Sequence, residues 1–405
     1  MANVKINTGG KILIALLGLG LIGFASWRWL IPHKKDADSV KPEFKGGVKQ
    51  GSADKGSGGS GGSKAAPSGD LTAPGMDRPL KVQIFTWGGF AGGIVANNGK
   101  LKPNKESIFW KKHNIAVELN VIDDWAASRQ AFKKGSVDVI GATVVDLALE
   151  YKKLEDHNPQ AFMFEDWSRG GDAIAVTKEI QSVEDLKGKR VAVPKGTPSH
   201  YYALYLLHQA DMATGDINWV WTSSQVEAAQ FFQQGKVDAA VSWAPDVYMA
   251  AEKREGGHIL SSTNEATHLI PALLIAKGDF IDKHPKALGK FLMGWFEGVE
   301  KARNNPKAAA ADLANVYGGV NKKAASAMLK DTKIADYGQN LRFFEMLGDE
   351  PRGFKDIYNE ANNLWRSIGM SSGRITPDKA HTTEILKGIR KEAEERFGSV
   401  EKTKK

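Results

Sequence analysis

The chain is 405 residues long, 42% hydrophobic and 25% charged, with a formal charge of +8 and no cysteine. That composition is globular and the length suits two or three core-sized units. The missing cysteine excludes disulfides, thiolate metal sites, a cysteine nucleophile and a lipid-modified N-terminal cysteine.

Nine histidines are present, but no two stand at metal-ligand spacing on one helix. The patterns HExxH, GxSxG and GxxxxGKS/T are absent, so no metal, cofactor or catalytic residue is expected. Residues 1–70 carry a net +5 and residues 387–405 a net +3, which leaves residues 71–386 neutral. A neutral core argues against a phosphate-tracking surface, so no nucleic-acid partner is expected, and the basic C-terminal stretch 387–405 reads as a solvated tail.

In chain order, Lys5 and Lys11 precede an apolar run from Ile12 to Ile31 broken by Ser26 and Arg28. Twenty residues make a helix of about 30 Å, enough to cross the hydrocarbon core. Trp27 and Trp29 suit the interface, where Arg28 can snorkel. Residues 1–33 therefore read as a transmembrane anchor. A cleaved signal is the rival, since Gly23-Phe24-Ala25 offers small residues at a cleavage site. Either way the remainder is sent outward, which predicts a single-pass protein of the cytoplasmic membrane with its main domain in the periplasm or extracytoplasmic space. Residues 34–78 are rich in Gly and Ser and cannot bury enough apolar surface to fold. As a coil, such a linker spans about 35–40 Å.

From Leu80 strands alternate with helices. Strands are predicted over 81–86, 116–122, 137–142, 190–193, 217–221 and 237–243, with helices over 125–134, 200–210 and 225–234. Helices of about ten residues between strands imply βαβ units and parallel sheets, an α/β fold. After Asp279 the pattern turns helical, over 286–304, 308–316, 322–329, 353–368 and 377–397. Phe132, Gly135, Val137 and Asp138 recur as Phe232, Gly235, Val237 and Asp238, an offset of 100 that extends to Asp146 and Asp246. Each copy reads helix, Gly C-cap, strand, loop, helix, so two similar lobes are expected. Ligands of such lobes sit outside the carboxyl ends of the strands, here at loops 86–93, 142–146, 194–200 and 242–246. Helix N-termini at such loops favour carboxylates, sulfonates and similar anions.

The stretch Ser182–Thr197 (SVEDLKGKRVAVPKGT), the helix that follows, Gly235–Pro245 (GKVDAAVSWAP) and Asp166–Asp172 (DWSRGGD) carry a resemblance. Over about residues 80–370 the chain resembles the nitrate/taurine/aliphatic-sulfonate family of periplasmic substrate-binding proteins, the solute receptors of ABC importers. The resemblance implies a type II binding-protein fold: two α/β lobes, a hinge of two crossing strands, and closure over a ligand. It places lobe one at 80–170 plus 280–386, lobe two at 175–272, and crossing strands at Ala173–Lys178 and Ala272–Lys277. It further implies a small-molecule ligand, a permease partner, a monomeric binding domain and no chemistry on the solute. The pyrimidine-synthase relatives depend on a cysteine-rich motif that a cysteine-free chain cannot supply. A sensor or scaffold of an envelope complex is the alternative function.

Candidate ligand residues follow from the loops. Trp87, Gly88 and Phe90 combine an aromatic wall with backbone N–H groups. Thr197, Ser199 and His200 open a helix, where their side chains either bind an anion or serve as caps and packing. Thr143 and Trp243 end the repeated strands, and Asp246 starts a helix, where it meets a ligand amine or only the dipole. Ser168 and Asp172 approach the hinge, and Trp125 begins a helix at the cleft. Aromatic loops favour an organic sulfonate, carboxylate or nitrogenous solute over a bare oxyanion.

Overall fold

The alternating strands and helices build two sheets, each with helices packed on it. The computed structural model describes residues 71–348, 352–371, 373 and 375–400. The expected anchor at 12–31 and the linker as far as residue 70 lie outside the described residues. Among the described residues no helix is long and apolar enough to cross a membrane. Residues 71–78, grouped with the linker by composition, belong to the folded part. Ala73 is buried, the Thr72 carbonyl accepts from Ala116 N–H, and Arg78 forks onto Asp138 at 2.7 and 2.8 Å.

The strands are β1 (Leu80–Ile84), β2 (Val117–Val121), β3 (Val139–Thr143), β4 (Pro159–Ser168), β5 (Asp172–Val176) and β6 (Arg190–Pro194). They continue as β7 (Asn218–Thr222), β8 (Ala239–Trp243), β9 (His258–Ser262), β10 (Pro271–Lys277) and β11 (Thr332–Ile334). The first sheet has the order β11-β4-β10-β3-β1-β2 and the second β7-β6-β8-β5-β9. Within the first, β2-β1-β3-β10-β4 repeats the second strand for strand, with parallel and antiparallel pairs in the same places. Central strands such as β3 and β8 are buried throughout, as strands covered on both faces must be.

The offset-100 repeat occupies equivalent places. Helices Trp125–Lys134 and Gln225–Gln233 begin at Asp124 and Ser224, whose side chains accept from Ala127 N–H and Glu227 N–H. They lead into Gly135 and Gly235, at φ 69° and 73°, where a side chain would be strained. Asp138 and Asp238 then receive the backbone N–H of Lys81 and Arg190, both at 2.9 Å.

The chain crosses between sheets at residues 169–171, after β4, and returns at 263–270, after β9. The segments expected as crossing strands instead lie each within one sheet, β5 in the second and β10 in the first. Gly170, at φ 106°, ends the strand geometry in the first crossing, and the return at 263–270 is likewise a loop. They are tied together: Thr263 Oγ1 accepts from Gly170 N–H at 2.9 Å and contacts Ser168 Oγ at 2.9 Å, while Tyr248 Oη donates to the Gly170 carbonyl.

Helix Pro285–Asn304 packs against Ala91–Ala96, Ile108–His113 and Glu384–Phe397. The helix expected over 377–397 divides into Pro377–Ala380 and Glu384–Phe397, because Thr382 N–H bonds the Ala161 carbonyl of β4 at 2.9 Å. Residues 387–397, set apart as a tail by charge, continue the last helix, which buries Ile385, Leu386, Ile389 and Ala393.

Candidate functional site

The loops at the strand ends meet at a cavity between the two sheets. Phe85 and Trp87 follow β1, Thr143 ends β3 and Trp125 opens the helix between β2 and β3. From the second sheet come Trp243, at the end of β8, and Asp172, at the start of β5; Pro198 opens a helix there. Asp166 and Ser168 of β4, with Ile270 and Ala272 at the return crossing, complete the lining. The interior leaves about 20 Å³ open to the centre of a water molecule, room for about one water, so an organic solute enters only if the lobes part.

Aromatic rings form one wall. Phe85 stands 5.6 Å from Trp125 and 6.2 Å from Trp243, and the two indoles are 6.3 Å apart, so the cluster joins both sheets. The indole N–H groups of Trp125 and Trp243 are buried without a protein acceptor. Trp87 differs: its Nε1 donates to Asp166 Oδ2 at 2.8 Å. Gly89 permits this, since a Cβ there would come within 1.7 Å of Asp166 Oδ2. The second carboxyl oxygen of Asp166 is buried and has no partner.

Burial, against the Trp87 hydrogen bond and with a smaller push from the nearby Asp172 charge, raises the Asp166 carboxyl to about 8. Asp172 accepts from Ser168 Oγ at 2.8 Å and Ser199 Oγ at 3.3 Å, yet burial still raises it to about 6. Glu165, next to Asp166, is fully buried with neither oxygen partnered, and desolvation holds it well above the usual carboxylate range.

Of the residues singled out from sequence, Trp87, Trp125, Thr143, Ser168, Asp172 and Trp243 line the cavity. The Thr143 hydroxyl is committed to a capping box with Asp146. Gly88 and Phe90 lie behind the wall. A Cβ on Gly88 would meet the Met328 carbonyl at 2.5 Å, and the Phe90 ring is fully buried against Phe85 at 4.8 Å. Thr197 donates to the Pro194 carbonyl at 2.7 Å, a turn-forming role. The Ser199 hydroxyl reaches Asp172 from outside the lining. His200 accepts from Gly196 N–H at 3.2 Å among Trp219, Trp221 and Trp365, and burial pushes it down to about 3. Asp246 also lies outside the lining; burial, then the charge of Asp123, raises it to about 6. Asp166 and Phe85 were not singled out. The signal for Phe85 was its place at the end of β1, beside Trp87; for Asp166 it was a carboxylate inside an apolar strand.

The family model described as "NMT1/THI5 like" matches residues 105–309. The chain belongs to that family. It is 25% identical over 205 residues to the taurine-binding periplasmic protein of Escherichia coli, covering 50% of this chain and 62% of that one. A Bacillus subtilis protein described as binding aliphatic sulfonates is 30% identical over 155 residues, 38% of this chain and 46% of that one. These matches span less than two thirds of either relative's length. The periplasmic aliphatic sulphonate binding protein of E. coli superposes with a TM-score of 0.61 at 19% identity, covering 75% of this chain and 92% of that one. The fold is thus that of periplasmic binding proteins. A desulfurization enzyme shares it, with a TM-score of 0.57 at 12% identity, covering 78% of this chain and 99% of that one.

Proposed function

We propose that the chain is the extracytoplasmic solute-binding component of an ABC importer and captures a small organic solute between its lobes without chemical change. The observation that carries this reading is the cavity itself. It is compact, walled by Phe85, Trp125 and Trp243 from both sheets, and edged by polar atoms that lack protein partners. Small-molecule sites combine an apolar wall with a few placed polar groups in this way. Two loop crossings tied at Thr263 suit hinge closure over such a solute. The family and the names of the relatives support the same reading. Trp87, Trp125, Thr143, Ser168, Asp172 and Trp243 are proposed as the ligand contacts, together with Asp166 and Phe85.

The permease partner and a membrane tether through residues 12–31 belong to the proposal. An enzyme reading would have to use the hydroxyl of Thr143 or Ser168, and no histidine or lysine lines the cavity to serve as its base. The test is a thermal-shift screen of the full chain with amines, sulfonates, carboxylates, pyrimidines and oxyanions. A ligand at 100 times its dissociation constant adds about 2.7 kcal/mol of stability. A shift with one chemical class supports the receptor reading. No shift across the panel contradicts it and favours the sensor or scaffold.

A further inference from the structure

We propose that the cleft takes a small organic cation, an alkylammonium or amidinium carrying a neutral hydrogen-bond acceptor, and not the sulfonate named for the relatives. The proposal rests on the reading of this cavity as the solute site.

The first argument is the charge of the lining. Asp166 and Asp172 are its ionisable groups, and no Lys or Arg lines it. The nearby guanidinium of Arg129 stands 4.2 Å from the Trp125 ring centroid but is engaged by Asp146 at 2.8 Å and Glu150 at 2.7 Å. Beyond the lining, Asp246 and Asp123 add negative charge, opposed by Lys253. An anion entering this cleft would meet the Asp172 charge without a countercharge, whereas a cation would favour release of the proton that burial keeps on Asp166.

The second argument concerns the helix N-termini that an anion would use. At helix Val144–Leu154 the Thr143 N–H already donates to Asp146 Oδ1 at 2.6 Å. At helix Pro198–Gln209 the Ser199 hydroxyl already donates to Asp172. Asp146 holds the first of these positions; the second carries no side-chain cap, but an anion there would stand beside Asp172.

The third argument is the set of unsatisfied atoms. Asp166 is fully buried, lines the cavity, and presents an oxygen with no donor. Buried polar atoms in native proteins are paired, so this oxygen calls for a donor from a ligand. The aromatic wall suits a cation, which is attracted to ring faces. The unpartnered indole N–H groups of Trp125 and Trp243 call for an acceptor on the same ligand. A neutral hydroxyl, ether or carbonyl meets that need without bringing a negative charge toward the acids.

The experiment is calorimetric titration of the full chain with ethanolamine, 2-methoxyethylamine and glycinamide, beside taurine and isethionate. Ethanolamine and isethionate share a hydroxyethyl frame and differ in the sign of the head group, and taurine carries both signs. The expected result is binding of at least one of the cations and none of isethionate. Asp166→Asn and Asp172→Asn should each weaken cation binding about 10- to 100-fold, the range of a hydrogen bond to a charged group. Asn keeps the shape and an acceptor oxygen but cannot ionise to meet a cation, so both variants should retain wild-type circular dichroism. Tighter binding of isethionate or taurine than of any cation overturns the proposal and leaves the solute-receptor reading standing. Cation affinity unchanged in both variants also overturns it. If none of the five probes binds, the cation proposal falls, and silence across the wider thermal-shift panel removes the receptor reading as well.

Discussion

Substituting Asp172 by Asn should stabilise the protein at neutral pH and leave it unchanged in acid. Asp172 is buried, and desolvation raises its carboxyl to about 6, with the Ser168 and Ser199 hydrogen bonds opposing the shift. In the unfolded chain an aspartate titrates at about 3.9. The folded state therefore holds the proton more tightly, and stability falls as pH rises from about 4 through the folded value of about 6. Two pH units correspond to about 3 kcal/mol. For a domain of this size that is a melting difference of about 5 °C. Asp166 faces Asp172 and shifts in the same direction, so the wild type should lose stability over a wider range still. The assay is thermal unfolding of wild type and Asp172→Asn from pH 4 to pH 7.5. The two should nearly coincide at pH 4 and separate by about 5 °C above pH 6.5. A gap independent of pH, or a variant less stable at neutral pH, would refute the claim that Asp172 is a strained buried carboxylate. Retaining such a residue at a destabilising position is the pattern of a binding group kept for its ligand.

Gly89→Ala should cost about 2–3 kcal/mol, because its Cβ would meet Asp166 Oδ2 at 1.7 Å and separate it from the Trp87 indole; urea denaturation measures the loss, and an unchanged midpoint would show that the loop yields freely. Ending the chain at residue 383 should destabilise it by about 5 kcal/mol, since Ile385, Leu386 and Ile389 leave the core. An unchanged melting temperature would return that segment to the status of a solvated tail.

Local signals carried much of the fold. Gly135 and Gly235 close their helices by backbone geometry that neighbouring residues cannot mask, and β3 and β8 follow as short apolar runs. The repeat they define anticipated that two sheets would share one strand plan. Strand β4 escaped notice because Glu165 and Asp166 interrupt its apolar pattern, although nearly the whole strand is buried. With β4 unseen, Asp166 could not be assigned to the cleft.

Side-chain direction explains the remaining differences. Phe90 and His200 occupy the expected loops but turn into the packing, and Thr197 spends its hydroxyl on a nearby carbonyl. A loop position in sequence names the neighbourhood, whereas partners far along the chain decide what each group faces. Trp87 meets Asp166 79 residues away, and Tyr317 reaches the Trp87 carbonyl from 230 residues away.

The central claim is that a solute binds between the sheets, against a wall to which Trp243 contributes from the second sheet. The direct measurement is equilibrium titration of Trp243→Ala with the solute that gives the largest thermal shift for wild type. With circular dichroism showing both proteins folded, the account predicts at least about a tenfold loss of affinity, the scale of one aromatic contact. Wild-type affinity in Trp243→Ala would place the solute elsewhere and contradict the account.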